Sequence, residues 1–261
     1  MDNQRYTWSG ILWHGVQGVH IRTLNAVAVK VFHDPASLEH EVRMHRLALE
    51  FGAHAPFPHI FETSAQSGSV VMGLVVLELF GSDIRKLLRS QMMSDKIARL
   101  VSRQVAIALN FLHVQAMIVH LDVKPANVLY TERLERAVLV DCSCAEVVGE
   151  KQPQSFTKFT VHYRPPEYFM VSQSCPAMTP AGDYWAFGCL VWEVFSPKKG
   201  QQQFEHLVWG HDAKSVREHA CDLPRGGYWK QRVQLAGSYA PFVWRLMVER
   251  RQAALVDLER I

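Results

Sequence analysis

The sequence has 261 residues, 48% of them hydrophobic and 20% charged, which is the composition of a folded globular protein and excludes a disordered or collagen-like chain. Its formal net charge is only +3 and its Lys and Arg form no concentrated run, so the charge gives no reason to expect binding to nucleic acid or to a membrane. No apolar run reaches the roughly 20 residues that span a bilayer, and the N-terminus lacks the apolar stretch of a signal peptide. We therefore expect an intracellular protein, cytoplasmic or nuclear.

The five cysteines also favour a reducing compartment. Their number is odd, no pair has C-x-x-C spacing, and Cys142 and Cys144 lie in an apolar run where buried free thiols are common. Zinc binding by these two residues with nearby histidines is an alternative that lacks the usual paired spacing.

The first third of the chain predicts a small antiparallel sheet interrupted by one helix. Three runs rich in β-branched residues, at 18–24, 26–32 and 70–80, alternate with turns. Between the second and third runs, residues 37–49 have apolar side chains roughly at helical spacing after an Asp-Pro start.

From about Asp83 onward the pattern becomes helical. Residues 95–113 and 182–195 form the clearest helical stretches, and proline-containing loops separate them. The segment from Asp83 to about Ser94 follows the last strand and would lead out of the sheet. These patterns predict an α+β protein with a small sheet lobe and a larger, mainly helical lobe, and the sequence contains no internal repeat.

The strongest chemical signal is the segment His120–Asn127, which places an acid, a cation and an amide within six residues. Phosphoryl transfer needs a carboxylate for the attacking hydroxyl, cations for the γ-phosphate and ligands for magnesium. The segment resembles the catalytic loop of protein kinases, H-R-D-x-K-P-x-N. That resemblance implies that Asp122 is the catalytic base, Lys124 contacts the γ-phosphate and Asn127 binds magnesium. Taken alone, the segment is also compatible with a solvated turn before a strand.

Further matches follow in the order of the kinase family. Residues 28–30, Ala-Val-Lys, resemble the family's V-A-I-K strand, in which the lysine, here Lys30, contacts the α- and β-phosphates. Glu41 on the following helix is the candidate carboxylate partner of Lys30, with Glu39 and Glu50 as alternatives.

Residues 77–83 resemble the hinge that binds adenine. By this resemblance Leu77 is the gatekeeper, backbone groups of Glu78 and Phe80 bind the adenine edge, and Asp83 lies near the ribose hydroxyls. A buried strand that ends at a glycine turn would have the same sequence pattern.

The glycine-rich loop of the family is the least recognisable segment. Of Gly10, Gly15 and Gly18, only Gly15 and Gly18 keep a G-x-x-G spacing, so these two are the candidate phosphate-loop glycines. We expect the altered loop to affect nucleotide affinity more than catalysis.

Asp141, fourteen residues after Asn127, occupies the place of the aspartate in the D-F-G segment and is the expected main magnesium ligand. Cys142 stands where the family has Phe and Ser143 where it has Gly. The smaller Cys is expected to pack less firmly behind the helix that carries Glu41, and Ser lacks the backbone freedom of Gly.

The segment 160–167 resembles T-x-x-Y-x-A-P-E at the end of a kinase activation segment. Thr160 would hydrogen-bond Asp122 and Lys124, and Glu167 would pair with the late Arg251. Residues 183–189 resemble the D-x-W-x-x-G-C helix, whose aspartate, here Asp183, accepts backbone N–H groups of the catalytic loop.

The sequence is identified as a divergent eukaryotic-type serine/threonine protein kinase, on a resemblance that runs from about Gly15 to Arg251. This implies a bilobal kinase-like fold as one domain over residues 1–261, with an N-lobe at about 1–80 and a C-lobe at 81–261. It also implies ATP and Mg2+ as cofactors and proteins with serine or threonine acceptors as substrates, and it sets no oligomeric state. Compact loops also resemble kinases encoded by large DNA viruses.

Two other functions are open at this stage. A pseudokinase scaffold would keep the fold and bind nucleotide or partner proteins without efficient transfer, as the altered glycine loop and the Asp-Cys-Ser segment would allow. A small-molecule kinase shares H-x-D-x-x-x-x-N but is not expected to combine Lys124, Thr160 and the Pro-Pro-Glu segment. Leu121, at the position of a common arginine, further predicts activity without phosphorylation at Ser155, Thr157 or Thr160.

Overall fold

A computed structural model describes residues 6–12, 15–20, 26–49, 57–66, 72–149, 160–165, 168, 178–196 and 238–249. Its N-terminal part is a five-stranded antiparallel sheet with the strand order β1-β2-β3-β5-β4. The strands are β1 (Tyr6–Leu12), β2 (Gly15–His20), β3 (Ala26–Phe32), β4 (Ile60–Gln66) and β5 (Met72–Glu78).

The sheet confirms the three predicted strand runs and adds two strands. β3 has the predicted bounds, β2 begins three residues before its predicted run, and β5 lies within the predicted run 70–80. The central strand β3 is apolar on its buried face, where Val27 and Val29 pack with Val76 of β5. β1 and β4 were missed because Gly, Thr, Ser and Gln interrupt their hydrophobic pattern. Both are sheet edges, where fewer apolar residues are needed.

One helix, α1 (Pro35–Leu49), crosses the sheet. Asp34 begins it, since its carboxylate accepts the backbone N–H of Ser37 at 2.8 Å. Leu38 and Val42 pack with Phe32 and Val75 of the sheet. This packing places the helical face that carries Glu41 toward β3.

The helical part contains α2 (Ile84–Arg89), α3 (Asp95–Phe111), α4 (Pro180–Phe195) and α5 (Ala240–Trp244). Asp83 and Ser94 cap α2 and α3. A π-helical turn, Leu112–Ala116, continues α3, and a second π-turn, Arg245–Glu249, continues α5. α4 is buried along almost its whole length, with Trp185 and Trp192 at 0% and 1% exposure, and forms the centre of this core.

Two small sheets lie on the helical part. One joins β6 (Ser82–Asp83), β8 (Val128–Thr131) and β9 (Arg136–Leu139), and the other joins β7 (Ile118–Val119) to β10 (Glu146–Val147). The catalytic-loop sequence connects β7 to β8, and Asp141 follows β9. The α+β class with a small sheet region and a larger helical region is confirmed. Among the described residues, no helix is both long and apolar enough to cross a membrane.

Gly188 in α4 allows the π-turn at 245–249 to approach closely. A Cβ at this position would overlap the buried Met247 side chain and crowd Leu246. We expect Gly188→Val to lower the free energy of unfolding by about 2 kcal/mol, since overpacking a core costs about 1–3 kcal/mol. Denaturant titration would measure the loss. Met247→Ala in the Gly188→Val background should recover part of it, and equal stability of wild type and Gly188→Val would contradict this packing.

Candidate active site

Lys30 lies between two carboxylates from different elements. Its Nζ is 2.7 Å from Asp141 Oδ1 and 3.1 Å from Glu41 Oε1. In α1, Glu39 is exposed whereas Glu41 is 4% exposed, so the phase of the helix selects Glu41. Glu50 lies outside the described residues.

The three groups shift one another's ionisation. Burial raises the pKa of Glu41, and the nearby charge of Lys30 offsets only part of this. Burial also raises the pKa of Asp141, but attraction to Lys30 and hydrogen bonds from Lys30 and Ser143 outweigh it, so that the pKa is about 2. Although burial lowers the pKa of Lys30, the two carboxylates raise it above its usual value. Lys30 and Asp141 are therefore ionised at neutral pH.

The Asp-Cys-Ser segment is accommodated without glycine. Asp141 has the left-handed backbone (φ 71°), whereas Ser143 does not, so the backbone freedom of Gly is not needed at position 143. Cys142 is 2% exposed in the main core and donates its backbone N–H to Glu41 Oε1 at 3.3 Å. Burial raises the pKa of its thiol well above the usual value, so the side chain is a neutral apolar group.

The catalytic loop is held by the fully buried carboxylate of Asp183. Its oxygens accept the backbone N–H groups of His120 at 2.7 Å and Leu121 at 2.8 Å, the role predicted for this residue. The His113 ring, which the sequence analysis did not single out, is 2.8 Å from the same carboxylate. The sequence signal that could have indicated this role is the position of His113 on the apolar face of a predicted helix, near its end.

Asp122 is the centre of the candidate site. Its Oδ1 accepts the backbone N–H of Thr160 at 3.1 Å and the Thr160 hydroxyl at 2.8 Å. Its Oδ2 accepts the Lys124 ammonium at 2.6 Å and the Asn127 amide at 2.9 Å. Lys124 also donates to the Thr160 hydroxyl at 2.7 Å. The structure thus brings together four residues that the sequence predicted for the catalytic and metal-binding site.

Asn127 has the orientation that a magnesium ligand requires. Its Nδ2 donates to Asp122 twice, to the carbonyl and to Oδ2, so that its Oδ1 is the amide atom that could act as a ligand. The Asn127 carbonyl accepts the N–H of Val140, next to Asp141. Carboxylate and amide oxygens are the ligands that Mg2+ prefers, usually one or two from protein and the rest from phosphates and water. Asp141 and Asn127 fit that pattern, and no group of three or more His, Cys, Asp or Glu among the described residues could hold a metal.

The predicted hinge, residues 77–83, begins in the last two residues of β5. Leu77 is opposite Ala28 in the sheet, and Phe80 is 5% exposed. Asp83 caps α2 through Lys86, with its Oδ1 2.9 Å from the Lys86 backbone N and its Oδ2 3.2 Å from Lys86 Nζ. The carboxylate predicted to lie near the ribose therefore also begins a helix.

The two candidate glycines occupy different places in the β1–β2 hairpin. Gly15 begins β2, directly opposite Lys30 on β3, and lies next to the connection between the strands. Gly18 is paired with both Trp8 and Val27 in the middle of β2, away from that connection. Gly15 is therefore the one of the two candidate glycines that is positioned opposite Lys30.

The end of the activation segment is described only in part. Tyr163 is buried and donates its hydroxyl to Glu193 of α4 at 2.8 Å. Glu167, Arg251, Ser155 and Thr157 lie outside the described residues.

Leu121 replaces the usual arginine with an apolar contact. It has a left-handed backbone (φ 64°) and is completely buried. Its side chain belongs to an apolar cluster with Val119, Tyr168 and Met178, against which Cys144 and Val148 also pack. Tyr168 and Met178 follow the activation segment in sequence, so hydrophobic burial joins them to the catalytic loop.

Residues 14–222 match the protein kinase domain family. The chain belongs to that family. The kinase is 28% identical over 206 residues, 75% of its length, to mitogen-activated protein kinase 15 of Mus musculus, and 32% identical over 124 residues, 48% of its length, to mitogen-activated protein kinase mpkC of Aspergillus oryzae. These matches span 35% and 34% of the two relatives, so the kinase corresponds to about a third of their length.

A solved structure shares the fold. The kinase superposes on a chain of the crystal structure of the yeast RNA Pol II CTD kinase CTDK-1 complex with a TM-score of 0.76, covering 99% of this chain and 92% of that one at 16% identity. The predicted bilobal kinase-like fold is confirmed.

Removing Lys30 should leave Glu41 as an uncompensated buried charge. We expect Lys30→Met to lower the free energy of unfolding by about 1–3 kcal/mol at pH 7, the cost of an unsatisfied buried group. Because Lys30 lowers the pKa of Glu41, its removal raises that pKa further in the folded protein. The loss of stability should therefore shrink as the pH falls toward the ordinary value of 4.5, where Glu41 takes up a proton.

Denaturant titrations at several pH values would measure this effect. Adding Glu41→Gln to Lys30→Met should restore stability at pH 7, since it removes the buried charge. A Lys30→Met protein as stable as wild type at neutral pH would show that the contact between Lys30 and Glu41 contributes nothing to the fold.

Proposed function

We propose that this kinase is a serine/threonine protein kinase that transfers the γ-phosphoryl group of ATP, with Mg2+, to hydroxyl groups of protein substrates. The observation that carries the proposal is the environment of Asp122, whose carboxylate contacts the hydroxyl of Thr160, the cation of Lys124 and the amide of Asn127. A pseudokinase has no need to keep these three groups within hydrogen-bonding distance of one carboxylate.

Asp122 is proposed to accept the proton of the attacking hydroxyl. Its four contacts use the roughly four lone-pair positions of a carboxylate, so the substrate hydroxyl must replace one of them. Lys124 is the group that leaves, because its ammonium ends a flexible chain whereas the Thr160 contact includes backbone. Displaced from Asp122, the ammonium lies beside the incoming hydroxyl and offsets the charge of the transferred group.

Nucleotide binding is proposed to use both lobes. Lys30, held by Glu41, contacts the α- and β-phosphates, with Gly15 and the β1–β2 hairpin above them. Leu77 and the backbone of Glu78 and Phe80 hold adenine. Asp83 is predicted to lie near the ribose hydroxyls, and Gly18 is the second candidate glycine of the phosphate loop.

Asp141 and Asn127 are proposed to hold Mg2+, which when bound neutralises charge on the phosphate oxygens. The ion pair of Asp141 with Lys30 keeps the carboxylate ionised for this purpose. The proposed cofactors are therefore ATP and Mg2+. The catalytic unit is proposed to be one domain over residues 1–261, with the boundary between its two lobes near residue 80.

The base assignment can be tested by Asp122→Asn, which keeps the shape of the side chain and removes its basicity. We expect kcat to fall at least about a hundredfold, the scale for loss of a general base. Labelled ATP, magnesium and a mixed protein substrate, followed by phosphoamino-acid analysis, would measure both rate and acceptor. Glu132→Gln, on an exposed turn, is the control and should retain the wild-type rate. Wild-type turnover in Asp122→Asn would show that Asp122 is not the general base. Phosphotyrosine as the main product would show that the acceptor is not serine or threonine.

The apolar cluster around Leu121 predicts that activity does not depend on activation-loop phosphorylation. Its neighbours Tyr168 and Met178 are held by burial, so no phosphate is needed to order them. We expect phosphatase-treated wild type and a Ser155→Ala/Thr157→Ala variant to keep their rates within about twofold. Thr160→Ala should lose at least about tenfold, because its hydroxyl contacts Asp122 and Lys124.

Steady-state kinetics of the four proteins would make this comparison. A large fall after phosphatase treatment, reversed by rephosphorylation of Ser155 or Thr157, would show that another cation replaces the missing arginine.

A further inference from the structure

The hinge packs directly against the β8–β9 hairpin of the C-lobe. Ser82 and Asp83 pair with Tyr130 and Leu129 of β8. Just before them, Gly81 approaches so closely that a Cβ would overlap the carbonyl oxygen of Tyr130. The backbone that leaves the hinge is therefore fixed on this hairpin.

Arg136, the first residue of β9, extends this contact to the hinge side chains. Its guanidinium carbon is 5.2 Å from the centre of the Phe80 ring, and its Nη1 is 3.5 Å from Glu78 Oε1. The other carboxylate oxygen of Glu78 accepts the backbone N–H of His59 at 3.4 Å, before β4. One side chain of the C-lobe thus contacts the end of β5 and the hinge at once.

We propose that Arg136 is a positioning residue for ATP, which holds the hinge backbone in the conformation that binds adenine. The inference rests on the proposed function, because Glu78 and Phe80 are the two residues whose backbone groups are assigned to the adenine edge. Their side chains are the two that Arg136 contacts. Anchoring both from the C-lobe restricts rotation of the strand end and of the lobes about the hinge.

The chemistry at position 136 favours arginine over lysine. A planar guanidinium stacks on an aromatic ring and pairs with a carboxylate in the same pose, whereas an ammonium is a compact charge that cannot stack. The guanidinium and carboxylate are about a third exposed, at 36% and 28%, so solvent weakens the pair and the effect on ATP affinity should be moderate.

The test is calorimetric titration of the full chain with ATP and magnesium, without a protein acceptor. We expect Arg136→Met to raise the Kd for ATP about three- to tenfold and Arg136→Lys to give a smaller increase. The matched control is Arg133→Met, which removes the same charge from the exposed turn of the same hairpin and should leave the Kd unchanged. In steady-state assays Arg136→Met should raise the KM for ATP while kcat and the KM for protein substrate stay within about twofold.

A double-mutant cycle separates positioning from general stability. If Arg136 acts through Glu78, Arg136→Met should raise the Kd less in the Glu78→Gln background than in wild type. An unchanged Kd for Arg136→Met, or a lower melting temperature with an unchanged Kd, overturns the proposal. Failure of the wild-type protein to bind ATP would instead reject the proposed function, so the two failures are distinguishable.

Discussion

The buried carboxylate of Asp183 is the constraint on which the catalytic loop depends. It has no exposed surface, and such a charge is stable only when hydrogen bonds replace its lost water. Burial raises the pKa of Asp183, but the His113 hydrogen bond, nearby histidines and backbone N–H donors outweigh it, so the pKa lies below its usual value. The same bonds hold Leu121 in a left-handed backbone that an ordinary residue adopts at a cost. That turn directs Asp122 toward Lys124 and Thr160, so the active-site geometry depends on a residue of α4.

The residues that depart from the usual kinase motifs form contacts of their own in this structure. Leu121 joins the loop to Tyr168 and Met178 through apolar burial, where an arginine would use charge. Cys142 is small, but its backbone N–H binds Glu41 and its neutral thiol fills the core. Ser143 donates a hydrogen bond to Asp141, which glycine could not do. Because Ser143 does not have a left-handed backbone, it does not need the conformational freedom of glycine at this position.

Much of this site was predictable because phosphoryl transfer demands particular groups at fixed spacing. Glu41 was the candidate partner of Lys30, with Glu39 as an alternative. The structure favours Glu41, because it is buried beside Lys30 whereas Glu39 is exposed. The sequence could not distinguish Gly15 from Gly18, because only the strand register shows that Gly15 is opposite Lys30. Arg136 was missed because a single cation at the start of a short strand has no sequence pattern of its own. Its partners are distant in sequence and meet it only when the two lobes pack.

Coupling between the lobes follows from where the ionised groups lie. Lys30 on β3 contacts Glu41 on α1 and Asp141 after β9, so the sheet, the helix and the C-lobe share one charged cluster. Glu41 Oε2 is buried without a hydrogen-bond partner, and an unsatisfied atom of this kind costs free energy. Lys30 offsets part of this cost, because its charge lowers the pKa of Glu41 against the effect of burial. Any movement of α1 that separates Lys30 from Glu41 therefore leaves a buried carboxyl group without its cationic partner. The cluster thus favours one arrangement of the two lobes, and a ligand that binds Lys30 and Asp141 together would favour it further.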